Sequence, residues 1–187
     1  MTRPKIIAFC GFKGSGKTLA SGHVVSHFGY TQRSLATSLK VACRHIFNLT
    51  LAQVTDPVEK ETLDTRWGKS PRELLQFMGT EIVRGLDADV WVKSFTEYIL
   101  EFPTVKWVVD DVRFPNEADA IREKGGIVIG VRRAACVPEW SAHMHDSERL
   151  MLEHWDEMID VEIRNDDTKE QFTKSLHFLL EDYLDEK

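Results

Sequence analysis

Apolar residues along the chain fall into two patterns: short uninterrupted runs, and stretches in which they recur every three or four positions. The run "IIAFC" (Ile6–Cys10) ends at Gly11, which suits a strand buried on both faces of a parallel sheet. Thr18 to Phe28 then reads as the helix that follows it. A weaker strand near Tyr30 to Ser34 precedes "SLKVACRHIF", where Leu39, Ala42, Cys43 and Ile46 share a helical face. Asn48 to Lys69 mixes Pro57 with many charges and predicts a surface loop or short helix. In "SPRE", Ser70 can cap, Pro71 fits the first helical position and Glu73 can reach back, so a helix is predicted from Pro71 to about Arg84. "DVWVKSFTEYIL" gives another helix before Pro103, and "KWVVDD" (106–111) an apolar strand ending in two carboxylates. Asn116 to Lys124 is a helix closed by Gly125 and Gly126, and "IVIGVRR" is the next buried strand, with Arg132 and Arg133 at its carboxyl end. Residues 134–148 show no clear period; "VEIRN" is a last short strand and Thr168 to Tyr183 a last helix. The alternation predicts an α/β fold: an open, mostly parallel sheet with helices on both faces, binding ligands at the carboxyl ends of its strands.

Composition narrows the class. A chain of 187 residues with 42% hydrophobic content fits one globular domain, or one domain with a small mobile flap. Three scattered cysteines, Cys10, Cys43 and Cys136, argue for reduced thiols in a cytoplasmic compartment and match no zinc spacing. The first apolar run is too short for a signal peptide, and no stretch is long enough to cross a bilayer. A soluble, membrane-free protein is expected. The net charge of −6 disfavours a nucleic-acid partner.

The chemistry begins in "GFKGSGKT". Gly11, Gly16, Lys17 and Thr18 occupy the fixed positions of GxxxxGK[ST], between a predicted strand and a predicted helix. In such a loop the backbone amides, here those of Gly11, Gly14, Ser15 and Gly16 among them, wrap the phosphates of ATP. Lys17 neutralises the β and γ oxygens, and Thr18 offers a hydroxyl to Mg²⁺. Such a metal ion also needs a nearby carboxylate, for which Asp111 is the candidate and Asp110 the second choice; two solvated aspartates capping a turn are the plainer reading. Val112 stands where an ATPase motor would carry a water-activating glutamate, which weakens hydrolysis as the main activity. Lys13, Arg72, Arg113, Arg132 and Arg133 are all predicted on the same rim of the sheet. Each alone is an ordinary surface charge, but together with a phosphate loop they suggest a second, acceptor phosphate.

The segments "GFKGSGKT", "SPRELLQFMGTE", "DVWVKSF", "DDVRFPNEADAI" and "HMHDSE", in this order and spacing, resemble the phage-type deoxynucleoside monophosphate kinases of the wider P-loop nucleoside monophosphate kinase group. The match covers most of residues 5–150. One departure is "DVRFP", whose arginine precedes the aromatic residue where relatives of adenylate kinase place it after the proline. The resemblance implies a single P-loop kinase domain over 1–187, with a helical acceptor-binding insertion at about 38–100 and an arginine-bearing lid at about 133–150. It implies MgATP as donor and a deoxynucleoside monophosphate as acceptor, with Lys17, Arg113, Arg132 and Arg133 stabilising the migrating phosphoryl group. Lys13, Arg72 and Arg113 would hold the acceptor phosphate; Gln76, Trp91, Trp140, His145 and Glu148 would surround the base or sugar. Gln76 also fits a solvated helix position, and Trp91 a packed face with Val90, Ser94 and Phe95. The segment "IRNDDTKEQF" resembles the stretch that flanks the ATP base in related kinases. A homodimer is left open, and the expected location is the cytoplasm, the host's if the gene is phage-borne. The competing readings are a P-loop kinase for another small or modified-nucleotide acceptor, and a nucleotide-dependent switch whose loops order on the γ-phosphate.

Overall fold

A computed structural model of the chain describes residues 5–142 and 144–185, so that His143 of the irregular segment lies outside it. The chain divides into two compact units, one formed by residues up to Ser34 together with those from Glu101 onward, the other by Leu35–Leu100.

The first unit is built on a five-stranded sheet in the order β2-β3-β1-β4-β5. Its strands are β1 (Ile6–Cys10), β2 (Thr31–Gln32), β3 (Trp107–Val112), β4 (Ile127–Arg132) and β5 (Val161–Arg164). All four pairings are parallel. The continuous apolar run of β1 follows from its central place, because every one of its side chains is buried. On the face covered by α1 (Lys17–Phe28) and α10 (Lys169–Asp185), Ile7, Phe9, Val108 and Ile129 pack against Ala20, Val24, Phe172 and Leu176. Each such burial contributes about 1.5–3 kcal/mol, enough to fix the strand register. Against β3 the pairing of β1 slips between Ala8 and Cys10, so that Ala8 faces Val109 but Cys10 already faces Val112. The extra β3 residue falls at Asp110–Asp111, which turns both carboxylates out of regular alternation at the rim.

The helix α7 (Pro115–Glu123) returns the chain from β3 to β4. Between β4 and β5, where the sequence predicts irregular backbone to 148, the structure has a 3₁₀ turn at Ala134–Cys136, then α8 (Asp146–Glu153) and α9 (Trp155–Met158). The helix α8 is shorter than the patterns that announce helices by themselves, and it is held by tertiary burial of Ser147 and Met151.

The second unit is helical: α2 (Thr37–Ile46), α3 (Leu51–Thr55), α4 (Pro71–Gln76), a π-helical segment Phe77–Val83, α5 (Arg84–Leu86) and α6 (Val90–Leu100). Leu49, Val54 and Leu74 form one buried cluster with Phe47 and Leu75 packed against it, and Leu35, Cys43 and Phe95 are also buried. Ser70 caps α4 as its sequence predicts: the Glu73 N–H donates to Ser70 Oγ (3.3 Å) and the Ser70 N–H to Glu73 Oε2 (2.7 Å). A second reciprocal cap, Thr50 with Gln53, opens α3. The connection before α4 is organised by Asp64, which accepts from Arg66 (2.9 and 2.6 Å) and Gln53 (3.2 Å). The hydrogen bonds from Arg66 bring its carboxyl down to about 2.

The predicted single α-helix from Pro71 to Arg84 is therefore corrected to α4, a π segment and α5. The cause is tertiary. A Cβ at Gly79 would stand 2.6 Å from Leu39 Cδ2, and the Gly79 carbonyl accepts from the Trp91 indole at 3.0 Å. A helix drawn close on one side, with a carbonyl taken by a side chain, widens by one residue there.

Candidate functional site: a phosphate loop at the strand ends

Residues Gly11 to Gly16 leave β1 and enter α1 through three glycines in the left-handed range, with φ 154° at Gly11, 82° at Gly14 and 112° at Gly16. Only glycine takes these angles without strain. The loop is closed by Ser15 N–H donating to the Phe12 carbonyl (3.1 Å), and α1 begins with Ala20 N–H on the Gly16 carbonyl (2.9 Å). Lys17 folds over this loop, its Nζ donating to the carbonyls of Gly11 (2.6 Å) and Phe12 (2.8 Å). Burial, reinforced by the Arg113 guanidinium, brings the Lys17 ammonium down to about 8, against the opposing pull of Cys10, Asp110 and Asp111. Lys17, Asp110, Asp111 and Arg113 thus share one electrostatic environment at the carboxyl ends of β1 and β3. Thr18 stands exposed in the first turn of α1. Ser15 is buried, and its Oγ has no hydrogen-bond partner among the described residues. Cys10 beneath the loop is pushed up to about 12 by burial and is an inert packing thiol.

The two carboxylates have different surroundings. Asp110 accepts from Gln32 Nε2 (2.9 Å) and Ser34 Oγ (2.7 Å), both on or just after β2, which fixes its orientation. Asp111 is half-buried beside it. Arg113 follows, and the buried Glu117 carboxylate accepts from the backbone N–H groups of Arg113 (2.8 Å) and Phe114 (3.2 Å), so that Glu117 caps α7 through the backbone.

The other residues singled out in the sequence are more scattered. Lys13 is exposed on the loop. Arg132 pairs with Glu162 (3.3 Å) and lies 5.7 Å above the Trp155 ring, while Arg133 is exposed one residue further on. Trp140 is exposed in the irregular stretch after the 3₁₀ turn. His145 caps α8, its Nδ1 accepting from the Ser147 N–H at 3.2 Å, and Glu148 sits in the first turn of that helix. Arg72, Gln76 and Trp91 belong to the 35–100 unit. There Arg72 pairs with Glu61 at 2.5 Å, Gln76 ends α4, and the Trp91 indole holds the π segment.

Asn165, immediately after β5, is a contact that the sequence does not announce. Its Nδ2 donates to the Ser15 carbonyl at 2.7 Å, across 150 residues of chain. The sequence places Asn165 in "IRNDDTKEQF", the stretch that resembles the flank of the ATP base, but a lone amide after a short strand does not single out this contact.

Among the described residues no group of three or more His, Cys, Asp or Glu side chains could hold a metal by itself. No described helix is long and apolar enough to cross a membrane.

A parallel sheet of this order, with a glycine loop between its central strand and first helix, defines an α/β protein of the P-loop type. The model of the deoxynucleotide monophosphate kinase family matches residues 44–176, and the chain belongs to that family. It is accordingly an enzyme, a kinase that phosphorylates nucleotide monophosphates with ATP. A protein of Acanthamoeba polyphaga mimivirus, provisionally assigned as a deoxynucleotide monophosphate kinase, is 33% identical over 181 residues, covering 89% of this chain and 91% of its own. In fold alone, the chain is similar to dephospho-CoA kinase from Campylobacter jejuni (TM-score 0.56, 14% identity, 97% and 98% of the two chains). It is also similar to shikimate kinase from Acinetobacter baumannii (TM-score 0.54, 14% identity, 98% and 96%).

Proposed function

We propose that the donor is MgATP, held at Gly11–Thr18, and that the acceptor is the 5′-phosphate of a deoxynucleoside monophosphate. An acceptor phosphate oxygen forms a bond to the γ-phosphorus of ATP while the bond from that phosphorus to the β–γ bridging oxygen breaks, giving ADP and the diphosphate. The attacking oxygen is already ionised, so the residues have only to position two anions and offset their repulsion. The observation that carries this reading is the glycine loop between β1 and α1, with left-handed backbone at Gly11, Gly14 and Gly16 and the Lys17 Nζ folded over it onto the Gly11 and Phe12 carbonyls.

At that loop the Lys17 ammonium would leave the Gly11 and Phe12 carbonyls for the β and γ oxygens, and the loop amides would hold the chain of phosphates. The donor set suits Mg²⁺, which favours phosphates, waters and one or two carboxylates over an all-protein cage. The Thr18 hydroxyl and Asp111 would hold it, with Asp110 fixed behind them; when bound, the ion neutralises phosphate charge. Arg113 and Lys13 would engage the acceptor phosphate, for which the family resemblance also implies Arg72, with Gln76 and Trp91 as candidates for the sugar or base. Residues 133–150 are assigned as the lid, where Arg132 and Arg133 would face the transferring group and Trp140, His145 and Glu148 the nucleoside. For Arg132 this means releasing Glu162. The domain reading is one kinase domain with residues of about 38–100 as the acceptor insertion. The free thiols and nucleotide substrates suit a cytoplasmic site of action, and the exposed Val41, Leu51, Val58 and Leu86 of the helical unit suit a homodimer.

The test is ADP release from MgATP with each deoxynucleoside and ribonucleoside monophosphate in turn. Strong stimulation by at least one deoxynucleotide is expected. Turnover that no monophosphate raises above basal hydrolysis would remove the assignment, and light scattering over a concentration series decides the dimer.

A further inference from the structure

The loop that holds the donor is itself held, and by a residue far from it in sequence. Asn165 follows β5, and its own N–H donates to the Arg132 carbonyl at 2.8 Å, continuing the β4–β5 ladder one step beyond Arg164. With its backbone pinned and its side chain buried, it has little freedom to be anywhere else. From there its Nδ2 reaches the Ser15 carbonyl at 2.7 Å. The loop is shaped to admit it: a Cβ at Gly16 would stand 2.3 Å from that nitrogen. The glycine at this position therefore answers both to its left-handed φ of 112° and to the approach of the amide. The next residue continues the attachment, since Asp166 Oδ1 accepts from the Ala134 N–H at 2.7 Å, at the root of the assigned lid.

We propose that Asn165 is a positioning residue for the donor phosphates, acting through the peptide between Ser15 and Gly16. In a planar trans peptide the carbonyl and the following N–H point in opposite directions. Holding the Ser15 carbonyl outward toward Asn165 therefore turns the Gly16 N–H to the opposite side of the peptide, into the concave side of the loop. If the carbonyl were released, that peptide could rotate and present an oxygen to the phosphates in place of a hydrogen-bond donor. The exchange of a donor for a repelling acceptor at an anion is a much larger effect than the loss of one contact. The inference rests on the donor-site reading above, and it adds a residue that touches neither substrate.

Three variants and the unaltered enzyme decide it. Asn165→Ala removes the donor. Asn165→Asp is nearly isosteric but sets a carboxylate oxygen against the Ser15 carbonyl. Asn165→Leu keeps volume without polarity, and covers the case in which the alanine variant fails to fold. ATP affinity is read by equilibrium titration, and KM for the acceptor at saturating ATP. The expected result is a loss of about tenfold to a hundredfold in ATP affinity for Asn165→Ala and Asn165→Leu, larger for Asn165→Asp, with acceptor KM within about twofold. For Asn165→Asp the loss relative to the unaltered enzyme should shrink as pH falls toward 5, because the introduced carboxyl then carries a proton to donate. A merely structural role would weaken ATP and the acceptor together, which the unchanged acceptor KM excludes. ATP affinity within twofold of the unaltered enzyme in the folded variants, or equal losses for both substrates, overturns the proposal. Absence of ATP binding by the unaltered enzyme overturns instead the donor-site reading on which it stands.

Discussion

The sheet unit and the helical unit reach stability by different means. In the first, Ile7 and Phe9 of β1 belong to one large buried cluster that draws on β3, β4, β5, α1 and α10, and the polar site is a rim of few groups fastened to that frame. In the second, Leu49, Val54 and Leu74 form one buried cluster, with Leu35, Cys43 and Phe95 also buried, and reciprocal helix caps, the Asp64 turn and the Trp91–Gly79 bond add order. Reciprocal caps and short networks contribute on the order of 1 kcal/mol each, against several for a packed strand. A phosphate loop needs a frame that does not yield, because its donors are backbone amides. Binding through side chains, the role proposed for the helical unit, would tolerate a lighter frame.

The most severe way to probe the contrast is Lys17→Ala. Turnover should fall by about 3 kcal/mol or more of transition-state stabilisation, roughly a hundredfold to a thousandfold, while the melting curve stays near that of the parent. Near-native turnover would strip the loop of its role. Arg113→Ala comes next, since Arg113 is carried by the sheet unit and is proposed to meet the acceptor phosphate. Its loss should lower acceptor kcat/KM by roughly thirtyfold to a thousandfold and leave ATP affinity unchanged. Equal losses for both substrates would move it to the shared phosphoryl path.

A pH series gives a smaller, graded effect. In the free protein Lys17 loses its proton near pH 8, and bound phosphates raise that value, so binding takes up a proton in the interval between. ATP affinity should therefore weaken as pH climbs through 8, by at most about tenfold per pH unit, and isothermal titration in buffers of different ionisation enthalpy should detect the uptake. A pH-independent affinity between 7.5 and 9 would contradict it. On the helical side, Arg72→Ala breaks only an exposed pair with Glu61, so stability should change by under about 1 kcal/mol. Acceptor KM should nonetheless rise about tenfold if the guanidinium leaves Glu61 for phosphate. An unchanged KM would leave Arg72 as a surface pair. Gly79→Ala presses on the flexible end of Leu39, and a loss of about 1 kcal/mol in thermal or urea unfolding is expected.

The parts of the molecule legible in the sequence are those whose causes are local. Uninterrupted apolar runs gave β1, β3 and β4, and Ser70 with Glu73 marked the start of α4 within a single turn of chain. The phosphate loop was readable because its chemistry is contained in eight consecutive residues. What escaped is long-range. The π segment depends on Leu39 and Trp91, and α8 depends on burying Met151 behind an unusual histidine cap. The hold of Gln32 and Ser34 on Asp110 spans 78 and 76 residues, and that of Asn165 on the loop 150. No spacing rule along the chain can announce such contacts, because the sheet order creates them.

The two carbonyls that Lys17 holds in the free loop set a threshold on what can enter it. An incoming anion must replace both charge-assisted hydrogen bonds, each worth about 1.5–3 kcal/mol, before it gains anything. On the donor-site proposal, a triphosphate meets that cost with more oxygens, for the ammonium and the amides together, than a monophosphate has. The resting position of one side chain would then bias the loop toward the substrate with the longer phosphate chain.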